Sequence, residues 1–184
     1  MKTARKKAAR EMDLAKVEKH ARRISLGSDA YLKQPIRKDY SDEFYTPDEI
    51  PAALGTFDLD PSAGPKSHAK KNIRLPKDGL RCKWKGRVWL NPPYSNIHDW
   101  LARFIRHGNG ICLVNARCET GWFQRLAQHA DTILLLRGRV QFQRPGKTDT
   151  HPTCGSVLVA YGRRNAKALL TSRLAGIVMR REVS

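Results

Sequence analysis

The residues with the clearest chemical potential are Asn91, Pro92, Pro93 and Tyr94, in the stretch "WLNPPYSN" at 89–96. Proline lacks the N–H that a helix or a central strand uses, and Pro93 biases Pro92 away from the α region. A strand is therefore expected to stop at Asn91, where the chain turns sharply. At the carboxyl end of a parallel strand such a turn faces the crevice where ligands bind. The chemistry that suits the quartet is activation of an exocyclic amine on a nucleobase. The lone pair of that nitrogen is delocalised into the ring, so it is a poor nucleophile. Two acceptors, one for each N–H, favour a pyramidal nitrogen and aim its lone pair at an electrophile. The Asn91 side-chain oxygen is one acceptor, and a carbonyl of the proline pair, held by restricted torsions, is the other. The Tyr94 ring offers a stacking face to a base extruded from a duplex. Orientation and electrostatics do the work, with no proton removed before attack. The same four residues also make an ordinary rigid strand-to-helix turn with Tyr94 packed beneath it.

The elements that must position this quartet follow from periodicity. "RVWLN" reads as the strand that ends at Asn91. "SNIHDWLARFIRHGNG" reads as a helix, with Ile97, Trp100, Leu101, Phe104 and Ile105 on one face, Ser95 or Asn96 as cap and Gly108 as terminator. "GICLVNAR" is a continuous apolar run, expected of a central strand covered on both faces. "ETGWFQRLAQHA" is a second amphipathic helix, "DTILLLRGRVQF" a strand, and "GSVLVAYG" a further strand after a polar loop at 144–153. "NAKALLTSRLAGIVM" suggests a terminal helix carrying Leu170, Leu174, Ile177 and Val178. Upstream, "FYTPDEIPAAL" predicts a short helix with Thr46 as N-cap, Pro47 at the first helical position and Glu49 at the third. "TFDLDPSAGP" predicts a short strand running into a loop, and "NIRL" is a possible strand. Strands alternating with helices mean α/β with a mostly parallel sheet. The last two strands, joined without a helix, are expected as an antiparallel pair at one edge.

The chain has 184 residues and a formal charge of +18. That length fits one domain with appendages: a basic arm, helix and linker at 1–42, a core domain at 43–164, and a terminal helix and tail at 165–184. The charge points to a polyanionic partner, with nucleic acid the default, against the plainer alternative of a solvated basic surface. Four cysteines without a CxxC pair argue against a zinc ribbon or finger. His98, His107, His129 and His151 lack ligand spacing. No apolar run approaches membrane-spanning length, so the expectation is a soluble chain in a reducing, cytoplasmic setting, with no membrane partner.

Three stretches in order carry a resemblance: "EFYTPDEI" (43–50), "FDLDPSAGP" (57–65) and "NPPY" after an apolar strand. Together they resemble the amino-methyltransferases that use S-adenosylmethionine. The whole pattern over roughly 43–162 is closer still to the small phage and prophage DNA N-6-adenine methyltransferases. The resemblance implies a Rossmann-like class I methyltransferase sheet and site-specific methylation of a flipped adenine in DNA, in a bacterial host cell if the protein is phage-encoded. It assigns Asn91, Pro92 and Tyr94 to the target base and Pro93 to the turn, with Asn91 also bordering the cofactor. Tyr45, Thr46 and Pro47 would line the amino-acid end of the cofactor. Asp60 would contact it near its amino group or through water, and Pro61, Ser62 and Ala63 would pass beneath it. Two other readings remain beside this one: a non-catalytic DNA-binding protein that kept the fold, and methylation of another amine, in RNA, cytosine or a protein glutamine.

The sequence departs from the family pattern in two places. The cofactor loop ends Gly64-Pro65 where the family has Gly-x-Gly. Residues 66–90 alone separate that loop from Asn91, too few for the usual two strands and two helices when one βαβ unit takes ~30 residues. Asp78 is the only carboxylate in that span, either a ribose or adenine contact or a turn residue before Gly79. For DNA, the basic segments suggest Lys70, Lys71, Arg74, Arg117, Arg144 and Lys147 as phosphate contacts. Arg117 could equally face a neighbour of the flipped base or pair with Glu119. The basic residues at 2–23 could clamp phosphates or form a solvated tail.

Overall fold

A computed structural model describes residues 44–67, 69–74, 78–143 and 154–181. One compact unit, residues 41–118 with 122–184, carries the sheet and the crevice; Glu119–Gly121 belong to a second unit whose other residues lie outside those described. The basic arm and the phosphate candidates Arg144 and Lys147 also lie outside the described residues. The elements in chain order are α1 (Glu49–Leu54), β1 (Phe57–Asp60), β2 (Ala69–Asn72), β3 (Val88–Leu90), a 3-10 turn (Tyr94–Asn96), α2 (Ile97–His107), β4 (Gly110–Asn115), α3 (Gly121–Gln128), β5 (Thr132–Leu136), β6 (Ser156–Tyr161), α4 (Arg163–Thr171) and β7 (Gly176–Arg180).

The strands form one mixed sheet in the order β2-β1-β3-β4-β6-β5-β7. β2, β1, β3 and β4 run parallel. β6 lies antiparallel between β4 and β5, so β5 runs the same way as β4. This α/β arrangement is consistent with a Rossmann-like fold. Because β2 and β3 flank β1 on opposite sides, the chain direction reverses there, and the crevice of an open α/β sheet lies at such a switch point.

β4 and β6 are apolar on both faces because both faces are covered. Cys112, Val114, Val157 and Val159 pack with Trp100, Phe104, Trp122 and Leu126 from α2 and α3. Ile111, Leu113, Leu158 and Ala160 pack with Ile50 and Leu54 of α1 and Leu169 of α4. In β1 the N–H groups of Asp58 and Leu59 both donate to the Arg87 carbonyl, at 2.7 and 3.2 Å. That is a bulge, two residues opposing one, and it sends Phe57 to the α1 and α4 face but Leu59 to the other.

Three expectations need correction. Thr46 does not cap α1: Asp48 holds the N-cap position, and no side chain bonds there. The strand expected at "NIRL" lies earlier, at Ala69–Asn72, an edge strand exposing Lys70 and Lys71; lysines on an edge discourage pairing with another chain. The long terminal helix is instead α4 followed by β7, which pairs antiparallel with β5. The antiparallel pair β5–β6 therefore forms as expected but does not end the sheet. Ile177, Val178 and Met179, on the outermost strand, are exposed rather than buried. The α2 and α3 faces match their periodicity, and Gly108 ends α2 in the left-handed conformation with its N–H on the Phe104 carbonyl at 3.1 Å.

The shortened half is filled by aromatic packing. Among the described residues, β2 is the only regular element between the cofactor loop and β3. Trp84 is buried, stacks on Trp100 at 6.4 Å and donates its indole N–H to the Gly79 carbonyl at 2.9 Å. Gly79 lies so close to the loop that a Cβ there would sit 1.8 Å from the Pro61 carbonyl oxygen. Gly79→Ala must push the loop away, so a loss of about 1–3 kcal/mol is expected, read as a lower melting temperature.

Candidate functional site

Asn91 follows β3 directly, at the carboxyl ends of the parallel strands. Its side-chain nitrogen donates to the Phe44 carbonyl at 2.9 Å and to the Thr46 hydroxyl oxygen at 3.3 Å. A backbone carbonyl only accepts, so these contacts fix which way the amide faces, and its oxygen is the end left to accept. Thr46 is buried and used here, which explains why it is not a helix cap. The Ser62 hydroxyl donates to the backbone carbonyl of Asn91 at 2.9 Å. The next carbonyl along the turn is that of Pro92, which is buried beside Pro93 at φ −65°, ψ 136°.

Tyr94 is partly exposed. Its hydroxyl oxygen accepts the Asn115 N–H at 2.6 Å, and its ring stands edge-on to Trp122 at 6.4 Å. Burial pushes the phenol well above its usual range, against a smaller lowering by the Asn115 N–H, so the hydroxyl stays protonated.

The residues of the 61–65 loop and of the segment before α1 converge on the same place. Tyr45 exchanges backbone hydrogen bonds with Gln143 at 2.9 and 3.0 Å. A Cβ on Gly64 would come within 2.4 Å of the Tyr45 ring, so only glycine lets the loop lie under it. The Ala63 N–H goes to the Ile73 carbonyl. Arg74 donates to the carbonyls of Gly64 and Pro65, at 3.0 and 2.7 Å, so it braces this loop from outside. Pro47 and Pro61 are buried.

Asp60, at the end of β1, is 5 % exposed. Oδ1 accepts the Ser62 N–H at 3.0 Å and Oδ2 meets the Ser67 hydroxyl at 2.9 Å. Burial raises its carboxyl to about 6, although both hydrogen bonds and Arg74 lower it. The Ser67 hydroxyl also contacts Asn72 Oδ1, whose orientation is set by the Asn72 Nδ2 bond to the Ala69 carbonyl at 3.1 Å. One hydroxyl proton cannot serve two acceptors. A protonated Asp60 resolves this, donating to Ser67 while Ser67 donates to Asn72. Because the folded value lies above the usual 3.8, this contribution to stability is complete below about pH 4. It fades as the pH rises through about 6. Against Asp60→Asn, wild-type protein should lose on the order of 3 kcal/mol over that window, measured by denaturant unfolding at pH 4 and pH 7.

Of the remaining candidates, Arg117 lies close enough for its charge to act on Tyr94, and the others are on the surface or in local roles. Asp78 is exposed in a turn, accepting the Leu80 N–H at 2.8 Å and pairing with Arg81 at 3.3 Å. Lys70 pairs with Asp58 at 3.0 Å. Lys71 is exposed on β2, and Arg117 is exposed just past β4. No group of His, Cys, Asp or Glu suited to a metal occurs among the described residues, and no helix there is long and apolar enough to cross a membrane. Sequence reasoning missed Phe44, Ser67, Asn72 and Asn115. Asn72 had a usable signal: with β2 placed at 69–72, it is the strand-end residue.

Sheet and crevice together define an α/β protein of Rossmann-like architecture with an Asn-Pro-Pro-Tyr turn at its ligand-binding end. Residues 33–172 match the DNA N-6-adenine-methyltransferase (Dam) family, and the chain belongs to that family. It is similar to the DNA N-6-adenine-methyltransferase of Haemophilus phage HP1 (strain HP1c1), at 32% identity over 94 residues, covering 47% of this chain and 54% of that one. It is also similar to the DNA N-6-adenine-methyltransferase of Escherichia phage T1, at 31% identity over 106 residues, 52% of this chain and 44% of that one. The chain thus spans about half the length of the curated relatives it matches.

Proposed function

We propose that this protein, on a class I methyltransferase sheet, transfers a methyl group from S-adenosylmethionine to N6 of an adenine flipped out of DNA. The observation that carries this reading is the meeting of three motifs at one residue. Phe44 and Thr46 orient the Asn91 amide, while Ser62 of the cofactor loop engages its backbone carbonyl. Family membership supports the same reading.

The residues present fit the cofactor. The Asp60 carboxyl and Thr46 hydroxyl suit its polar amino-acid end. The loop Pro61, Ser62 and Ala63, with Gly64 tight against Tyr45, would pass beneath the cofactor, and Asp78 would be the carboxylate on the nucleoside side. When bound, S-adenosylmethionine supplies an electrophilic methyl group.

The protein's share is orientation. Asn91 Oδ1 and the Pro92 carbonyl accept the two N6 hydrogens and turn the nitrogen lone pair out of the base plane. Tyr94 gives the base a ring to rest on, its hydroxyl pinned by Asn115. None of these groups is a base at neutral pH, so the proton leaves N6 to solvent after transfer.

Incubation with labelled cofactor and unmodified DNA, followed by digestion to nucleosides, tests the reading. The expected product is N6-methyladenine. Absence of label on adenine together with absence of cofactor binding would sink it; label on cytosine, RNA or a protein glutamine would redirect it.

A further inference from the structure

A second feature lies on the sheet away from Asn91. Beside β1 and β2, an open groove of about 520 Å³ is lined by Asp58, Leu59, Lys71, Lys83, Lys85 and Gly86. Its one carboxylate is already satisfied. Asp58 Oδ2 accepts the Arg87 N–H at 2.8 Å, and Oδ1 pairs with Lys70 at 3.0 Å. Lys71, Lys83 and Lys85 are exposed, and among the described residues none has a carboxylate at ion-pair distance. Arg164, at the start of α4, is close enough for its charge to act on both Asp58 and Arg87. The groove therefore presents at least three uncompensated cations around a neutralised floor.

We infer that this groove holds the phosphate backbone of DNA, as a contact separate from the Asn91 crevice. The inference rests on DNA being the substrate. Charge complementarity selects the occupant: lysine ammonium groups bind phosphate as point charges and read no sequence. Position supports it. Gly86 and Asn91 lie five residues apart across β3, about 17 Å of extended chain. That spans roughly five base pairs of duplex at 3.4 Å each. The groove would grip the backbone a few nucleotides from the flipped base and resist the pull of extrusion.

The test uses the full chain, a labelled DNA duplex and fluorescence anisotropy across a salt series. The triple variant Lys71→Gln, Lys83→Gln, Lys85→Gln should bind more than tenfold more weakly at low salt. Its slope of log affinity against log salt should shrink by about 2–3. Cofactor binding by calorimetry and the melting temperature should stay unchanged. An unchanged slope and affinity would overturn the inference. If the triple variant melts early, Lys83→Gln alone and the triple Lys-to-Arg variant decide: the first should weaken binding and the second should keep it. Inorganic phosphate, adenosine monophosphate and polyglutamate serve as competitors. Failure of all three to displace duplex at millimolar concentration supports a backbone site. Displacement by any of them as readily as by unlabelled duplex overturns it. Methylation is scored in parallel, so the two readings fail separately. Lysine-dependent DNA binding without transfer removes only the proposed activity, and transfer with lysine-independent binding removes only the groove.

Discussion

Asn91→Ala is expected to lower the rate of methyl transfer by at least 10²–10³-fold, the loss seen when a positioned hydrogen-bonding group is removed from a reacting centre. In the proposed mechanism the substitution deletes the acceptor for one N6 hydrogen. It also frees the Phe44 carbonyl and the Thr46 hydroxyl, which hold the amide at 2.9 and 3.3 Å. DNA affinity should change little, because Asn91 carries no charge and phosphate contacts dominate binding. Folding stability should fall by only about 1 kcal/mol, since the abandoned partners lie near the open crevice. Single-turnover transfer, duplex anisotropy and a melting curve on the same sample separate these effects. Transfer within tenfold of wild type would remove Asn91 from the mechanism. Thr46→Val offers a graded check: the acceptor survives but its orientation loosens, so a smaller loss of rate is expected with the same DNA affinity.

The second large effect is on stability. Arg87 is 3 % exposed at the other end of β3. Its guanidinium donates to the Thr56 carbonyl at 2.9 Å, the Leu54 carbonyl at 2.8 Å and the Asn165 side-chain oxygen, and lies 4.1 Å above the Phe57 ring. Asn165 is wholly buried and passes the network on to Asn109 and the Tyr161 carbonyl. One side chain thus ties the end of α1, the start of β1 and the first turn of α4. Arg87→Met keeps the stem but leaves three acceptors without their donor. A loss of about 3 kcal/mol is expected, a fall of roughly 6–12 °C in melting temperature. Transfer measured well below the melting point should stay near wild type, because the network lies at the end of β3 opposite Asn91. A melting temperature within 2 °C of wild type, on the order of the smallest shift that 1 kcal/mol gives, would contradict this account.

What was legible in the sequence divides along physical lines. β4 and β6 announced themselves as unbroken apolar runs, and α2 and α3 as amphipathic periods, because burial on both faces or on one face writes directly into composition. β7 did not. Leu170, Leu174, Ile177 and Val178 fall at helical spacing, yet the helix stops at Thr171. Arg173 takes a positive φ of 58°, and the residues beyond pair with β5, some forty positions earlier. Strand pairing over such separation leaves little local mark. Arg87 sits in a run of basic residues that resembles a surface; its burial depends on carbonyls supplied from far along the chain. In the crevice, the types and order of Thr46, Asp60 and Asn91 were readable. Their mutual contacts were not, since Phe44 acts through its backbone, and Ser67 and Asn72 have common residue types with no motif.

The ring contact between Tyr94 and Trp122 has an optical consequence. All four tryptophans are buried, so their emission is shielded from solvent. Trp122 alone stands edge-on to the tyrosine of the crevice turn, at 6.4 Å. Light absorbed by Tyr94 can pass to it over that distance. A base settling on the exposed part of Tyr94 would intercept this transfer and dim the indole, against the steady background of Trp84, Trp89 and Trp100. If the protein extrudes a base as proposed, it carries its own lamp and detector for that step, with no label attached.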